Sequence, residues 1–331
     1  MKFGPVPLSQ AEGAILAHSL HAGGRRIRKG AVLDVAALEA LGAAGHASVV
    51  VARMEPGDLH EDAAAEALAT ALASGPGISL STAFTGRVNL IAEGPGVVQL
   101  DAAAIDAANM VHPMITVATV PQMQQMALKG LIATVKIIAY GVPGEAVARA
   151  AEAARGAVRM AAPKMQTASL IITDIPGGPG SKGEAAIRGR VEALGLSLKE
   201  TALVPHEEGA LSAALNAATG EVILILTASA TSDVMDTGPA ALTLAGGRVE
   251  RFGMPVDPGN LLFLGHLGAQ AVIGLPGCAR APALNGADWV LARAVCGIEV
   301  TGADIAGMGV GGLLKEIPTR PMPRRGRSGV A

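Results

Sequence analysis

Three short segments gather the residue types needed to hold a small anion. The first, residues 173–183, reads Thr173, Asp174, Ile175, Pro176, Gly177, Gly178, Pro179, Gly180, Ser181, Lys182, Gly183. It is a glycine-rich turn between an apolar run and a helical one. Backbone N–H groups at the start of that helix, with Lys182, suit a phosphate; a flexible turn without a ligand fits the same letters. A phosphate loop needs Gly-Lys followed by Ser or Thr, whereas here Ser181 precedes Lys182, so a nucleoside triphosphatase of that type is excluded. The second segment, residues 227–236, carries the hydroxyls of Thr227, Ser229, Thr231 and Ser232 around Ala228, with the carboxylates of Asp233 and Asp236. Hydroxyls before a helix offer donors to an anion. Asp236 beside them could position Mg²⁺, which favours oxygen ligands and substrate phosphates. Equally, Ser232 and Asp236 could do no more than cap the helix that follows.

The third segment is Leu275, Pro276, Gly277, Cys278, Ala279, Arg280, Ala281, Pro282, followed by Asn285 and Gly286. A Pro-Gly turn lets backbone approach a ligand, and Arg280 brings a fixed charge able to make paired hydrogen bonds. No His stands near Cys278 in sequence to activate it, so a small packed thiol is the better reading. Residues 254–260, with Pro258 and Gly259, form a further turn-rich loop able to line the same cleft.

These segments share a site only if adjacent strands position them. In open α/β sheets ligands sit beyond the carboxyl ends of the strands. The apolar runs 169–173, 196–204, 221–227 and 271–275 read as strands, and 184–194, 207–218 and 236–244 as helices. The run at 221–227 is continuously apolar after its first residue, as in a strand buried on both faces. Alternation of strand and helix at these lengths predicts a mostly parallel sheet covered by helices on both sides, a three-layer α/β module at residues 163–317. Ahead of it, residues 1–162 read as a smaller α/β or β-rich accessory module. Short strands are expected at 15–20, 26–33 and 48–52, helices at 35–41 after an Asp34 cap, 61–73, 101–110 and 144–158, and β-rich runs at 115–120 and 131–138. Residues 318–331 read as a disordered Pro- and Arg-rich tail.

Composition narrows the partners. With 331 residues, two domains are expected. Aromatic residues make up 2%, so there is almost nothing on which nucleic-acid bases could stack. A formal charge of -2 recruits neither nucleic acid nor an acidic membrane. The basic cluster Arg320, Arg324, Arg325 and Arg327 reads as a solvated tail. Cys278 and Cys296 fit no disulfide framework or zinc motif and point to a reducing, cytoplasmic setting. No secretory signal is visible. Residues 261–279 carry no formal charge over a length able to cross a bilayer, but Gly265, Gly268, Gly274, Pro276 and Gly277 break them, so strand, turn, strand is preferred.

In this order the loops resemble the molybdopterin-binding domain of molybdenum cofactor biosynthesis, the family of molybdopterin adenylyltransferases, molybdotransferases and gephyrin-like proteins. Its Thr-Gly-Gly-x-Ser-x-Gly-x-x-Asp pattern is matched by Thr227, Thr231 and Asp236, and its later turns by Pro258-Gly259 and Leu275-Pro276-Gly277. Thr173-Asp174 stands where the family has its first such loop. The resemblance covers about residues 165 to 300, and looser similarity to molybdotransferase accessory segments lies at residues 13–17 and 28–30. It implies a pterin phosphate as ligand, with ATP and Mg²⁺ in the transferase version. Asp236 would hold the metal with Asp174 assisting, Thr227, Ser229, Thr231 and Ser232 would ligate phosphate, and Lys182 and Arg280 would offset developing charge. It also implies a homo-oligomer, and as partner a separate nucleotidyltransferase or a molybdoenzyme maturation protein. Ala228, Ser229 and Asp233 replace family glycines, and Cys278 and Ala279 replace Asn and Pro. Those replacements favour an alternative, a non-catalytic carrier or regulatory module that holds the pterin. A small-molecule enzyme unrelated to molybdenum remains a third reading, because fold does not fix function.

Overall fold

The computed structural model describes residues 1–314. The tail from residue 318, with its arginines, lies outside the described residues. The chain forms two compact units, residues 1–94 with 98–160, and residues 95–97 with 161 onward.

The first unit has two apolar clusters. One gathers Leu16, Leu33, Leu41 and Val51 around the strands Lys2–Pro7, Ser48–Arg53 and Ile15–Leu16 and the helix Val35–Ala43. Asp34 caps that helix as expected, its carboxylate accepting the Ala37 N–H at 2.8 Å. The other cluster lies between a four-stranded antiparallel sheet, built on the strand Leu131–Ile137, and the helices Glu61–Leu72, Ala102–Val111 and Gly144–Ala153. Here the last helix stops before the expected 158, and Val158–Ala161 is a strand instead.

The second unit holds the candidate loops. Its strands are β1 (Thr167–Asp174), β2 (Ser197–Pro205), β3 (Val222–Leu226), β4 (Arg248–Phe252), β5 (Phe263–Leu267) and β6 (Gln270–Leu275). Its helices are α1 (Glu184–Ala193), α2 (Glu208–Ala217), α3 (Thr237–Leu244), α4 (Gly286–Val295) and α5 (Gly302–Ala306). They build a mixed α/β fold around a six-stranded, mostly parallel sheet in the order β2-β1-β3-β6-β5-β4. The first four strands are parallel, and β5 and β4 add an antiparallel edge. All five residues of β3, Val-Ile-Leu-Ile-Leu, are buried, as expected of a central strand covered on both faces. Ile171, Ile223, Ile225 and Val272 meet Leu211 and Leu215 of α2 and Leu242 of α3 on one face. Leu170, Ile172 and Leu224 alternate with them and are buried on the other face, the side of α1 and α4.

Residues 261–279 do form strand, turn, strand, with β5 and β6 joined at Gly268. Among the described residues no helix is long and apolar enough to cross a membrane.

Candidate functional site

Register brings the strand ends level. Ile172 of β1 lies beside Leu226 of β3, Leu226 beside Leu275 of β6, and Thr173 beside Val204 of β2. The segments that begin at 173, 205, 227 and 276 therefore leave neighbouring strands at one edge of the sheet.

Each loop is braced from within. In the first, Asp174 Oδ1 accepts the Gly180 N–H at 3.0 Å, and Lys182 is exposed. In the second, Thr227 Oγ1 donates to the Ser229 carbonyl at 2.7 Å and lies 3.4 Å from Thr231 Oγ1; both threonines are buried. Ser232 Oγ donates to the Ala230 carbonyl at 3.3 Å, and Asp233 Oδ1 accepts the Met235 N–H at 2.8 Å in a local turn. Asp236 caps α3, with Oδ1 accepting the Thr237 N–H at 2.7 Å and Oδ2 the Ser232 N–H at 2.9 Å. In the third, Pro276 is buried and Gly277 and Cys278 are exposed. Cys278 is thus not the packed thiol anticipated from sequence, and its Sγ accepts from the Asn285 side chain at 3.0 Å, with no imidazole bonded to it. Cys296 is the buried thiol, and burial pushes its pKa up to about 11.

One side chain ties the three loops together. Arg280 donates through Nη1 to the Lys182 carbonyl and through Nη2 to the Thr227 carbonyl, each at 2.6 Å. Partial burial pulls the guanidinium pKa down, and the Asp174 carboxylate opposes that shift. Close approach has a condition at Gly183. Its φ is 102°, and a Cβ there would stand 3.0 Å from the Arg280 Cα. Pro258 and Gly259, by contrast, are brought to the start of α4, where the Gly286 N–H donates to the Pro258 carbonyl at 2.9 Å.

Sequence reasoning passed over His206 and Arg190, and named Asn285 without its role. His206 follows β2 and bonds Thr173 Oγ1 through Nδ1 at 2.8 Å and Ser229 Oγ through Nε2 at 3.1 Å. The strand-end rule, applied to the fourth parallel strand as to the other three, would have found it. Arg190 on α1 uses its whole fork: Nε meets Asp288 Oδ1 at 2.6 Å, while Nη1 and Nη2 reach the carbonyls of Ala186, Ala279, Ala281 and Ala283. Asn285, fully buried, caps α4 together with Asp288 and so fixes where the third loop ends. Arg190 has no signal in the letters, because most of its partners are distant carbonyls, whereas Asn285 three residues before Asp288 is a capping box that the letters do carry.

Among the described residues no group of three or more His, Cys, Asp or Glu side chains is placed to hold an ion. Asp236, the expected ligand, already gives both oxygens to backbone N–H groups.

Compared with known proteins, residues 5–53 match the model of a domain of unknown function, DUF8806. No curated protein matches the chain. Among solved structures, the molybdopterin biosynthesis moea protein from Pyrococcus horikosii is similar over 90% of this chain and 76% of its own, at 14% identity and a TM-score of 0.32. Molybdenum cofactor biosynthesis protein B is similar over 40% of this chain and 88% of its own, at 14% identity and a TM-score of 0.28. Neither score is high enough to establish a shared fold.

Proposed function

We propose that the carboxyl edge of the second unit binds the phosphate end of an anionic small molecule and holds it without turning it over. The observation that carries this reading is the Arg280 bridge, which joins the third loop to the carbonyls of Lys182 and Thr227 and so brings the three loop segments to one place. Lys182 stands exposed at that place, as do Ser229 and Ser232. A cation and hydroxyl donors at the carboxyl edge of a parallel sheet suit an anion. The ligand is molybdopterin, by the resemblance of these loops, and the setting is cofactor maturation.

A holding role is favoured over adenylyl or molybdate transfer by how the charged groups are used. Asp236 is engaged as a helix cap and Arg280 as a strut, so neither is held free for a reacting phosphate. A carrier of this kind leaves consumption of the pterin to a separate nucleotidyltransferase. Calorimetry of the full chain with molybdopterin, with and without ATP and Mg²⁺, tests this directly. Saturable binding that ignores ATP and Mg²⁺, with no adenylate formed, is the expected result. Adenylate formation lost in Asp236→Ala would replace the carrier by the transferase, and no binding would remove the pterin altogether.

A further inference from the structure

We infer that Thr173, His206 and Ser229 form a one-way hydrogen-bond chain that turns the Ser229 hydroxyl into a donor for the ligand's anionic group. The inference deepens the proposed binding role and rests on it.

The direction of the chain is set at its buried end. The Ala228 N–H donates to Thr173 Oγ1 at 2.9 Å, and a backbone N–H can only donate. Thr173 is fully buried, so its own hydroxyl hydrogen needs an acceptor within the protein. His206 Nδ1, at 2.8 Å, is that acceptor. A proton on Nδ1 would instead deliver a second donor to the threonine oxygen and leave the threonine hydrogen buried without a partner. The imidazole is therefore neutral with its proton on Nε2, and Nε2–H donates to Ser229 Oγ at 3.1 Å. An oxygen that accepts this bond still has its own hydrogen to give. Ser229 is exposed, so that hydrogen is directed outward, toward whatever occupies the loops.

Two consequences separate this arrangement from its nearest chemical look-alike. A serine bonded to a histidine suggests a nucleophile and its base, but a base must present a bare Nε2, and here Nε2 carries the proton. The second concerns selectivity. A ligand meeting Ser229 with a phosphate or carboxylate oxygen uses the outward hydrogen, and a ligand meeting it with an N–H group does not. The serine that replaces a family glycine at this position thus adds a donor whose orientation comes from His206, just past a strand outside the three-loop pattern. Ser229 contacts the ligand; His206 and Thr173 are positioning residues.

The test has two independent arms on the full chain. Nitrogen-15 NMR of the imidazole, assigned with H206Q, should show Nδ1 bare and Nε2 protonated, and it needs no ligand. Titration with inorganic phosphate should show affinity falling about tenfold in S229A, in line with loss of one hydrogen bond to a charged group. H206F should lose a similar factor, and the double variant no more than either single one, because both act through one bond. H206Q, whose amide can still donate to Ser229, should recover part of the loss. A proton on Nδ1, or phosphate affinity unchanged in S229A, overturns the inference. Wild-type protein that shows the Nε2 proton but binds no phosphate overturns the binding role instead and leaves the direction of the chain standing.

Discussion

Both ends of the six-stranded sheet carry polar groups, and they use them differently. At the amino edge, Glu200 Oε1 accepts from Ser169 Oγ at 2.6 Å and from the Thr219 N–H at 2.7 Å. Glu221 Oε2 accepts the N–H groups of Gln166 at 2.7 Å and Thr167 at 3.0 Å, and Gln270 Nε2 reaches the Gly220 carbonyl at 2.6 Å. Ser169, fully buried, also accepts the Gly220 N–H at 2.8 Å. Each of these chains begins and ends on the protein. At the carboxyl edge, beside bonds that brace the loops, two groups are left open: the Lys182 ammonium has no partner among the described residues, and the Thr173–His206 chain ends on an exposed serine. Density of polar residues therefore does not mark the site. What marks it is whether the hydrogen bonds close on themselves or stop at solvent.

The largest expected effect would break the scaffold beneath the open edge. Arg190 is the prop of the third loop, with side chains of Arg190 and Asp288 only 8% and 12% exposed. Arg190→Met leaves a buried carboxylate unpaired and strands the carbonyls of Ala279, Ala281 and Ala283. A loss of about 3–5 kcal/mol is expected from urea unfolding. A loss below about 1 kcal/mol would mean that the third loop holds its shape without this arginine.

A glycine pair measures how tightly each edge is packed. At Gly220 a Cβ would run into the backbone of Ala168 and Ser169, whereas at Gly277 it meets nothing within 4 Å. Gly220→Ala should cost about 1–3 kcal/mol, as overpacking does. Gly277→Ala should stay within about 0.5 kcal/mol of wild type. Equal costs would erase the distinction between a closed edge and an open one.

Much of this frame is legible in the letters, for identifiable reasons. The run 222–226 has no polar side chain, as in a strand covered on both faces, the run 271–275 follows by the same logic, and 169–173 differs only in the Ser169 and Thr173 at its ends. Helix starts at Asp34, Asp101 and Asp236 are legible because a carboxylate before an apolar run has a nearby backbone N–H to accept, as each does here. The edge strand β4 was not anticipated. Its sequence Arg-Val-Glu-Arg-Phe is charged at alternate and adjacent positions, and its residues are at best half-buried, so it has no apolar period to betray it. The convergence of the loops was foreseeable from topology alone, but what holds them was not. Arg280 was expected to meet a ligand's charge, and what the letters did not show is that it joins two carbonyls from segments far away in sequence. His206 was within reach of the strand-end rule, but its bonds to Thr173 and, through that hydroxyl, to the Ala228 amide join three strands and leave no mark in the letters.

Asp236 gives a smaller effect with a sharper consequence for function. Asp236→Ala removes the cap of α3 and the tie to Ser232, and should cost about 1 kcal/mol. If the carboxylate serves only the backbone, ligand binding in this variant stays as independent of Mg²⁺ as in wild type. Calorimetry in which Mg²⁺ strengthens wild-type binding and not that of the variant would restore the metal-holding role, and the open edge would then be a catalytic one.

The smallest effect tests the closed edge by pH. Glu200 is held below the ordinary carboxylate range first by the Ser169 hydroxyl and then by the Thr219 N–H, and Glu221 first by the Gln166 N–H and then by that of Thr167. Both pKa values are depressed in the folded protein, so the unfolded chain binds protons more readily. Their contribution is complete above the unfolded value, about 4.5, and is lost as pH falls through the folded values. Both groups are largely exposed, so the slope is shallow. Urea midpoints measured from neutral pH downward should fall in wild type and fall less steeply in the Glu200→Gln, Glu221→Gln double variant. Identical slopes would mean that these carboxylates are no better bonded in the folded state than in water, and the amino edge would then be as open as the edge proposed to bind.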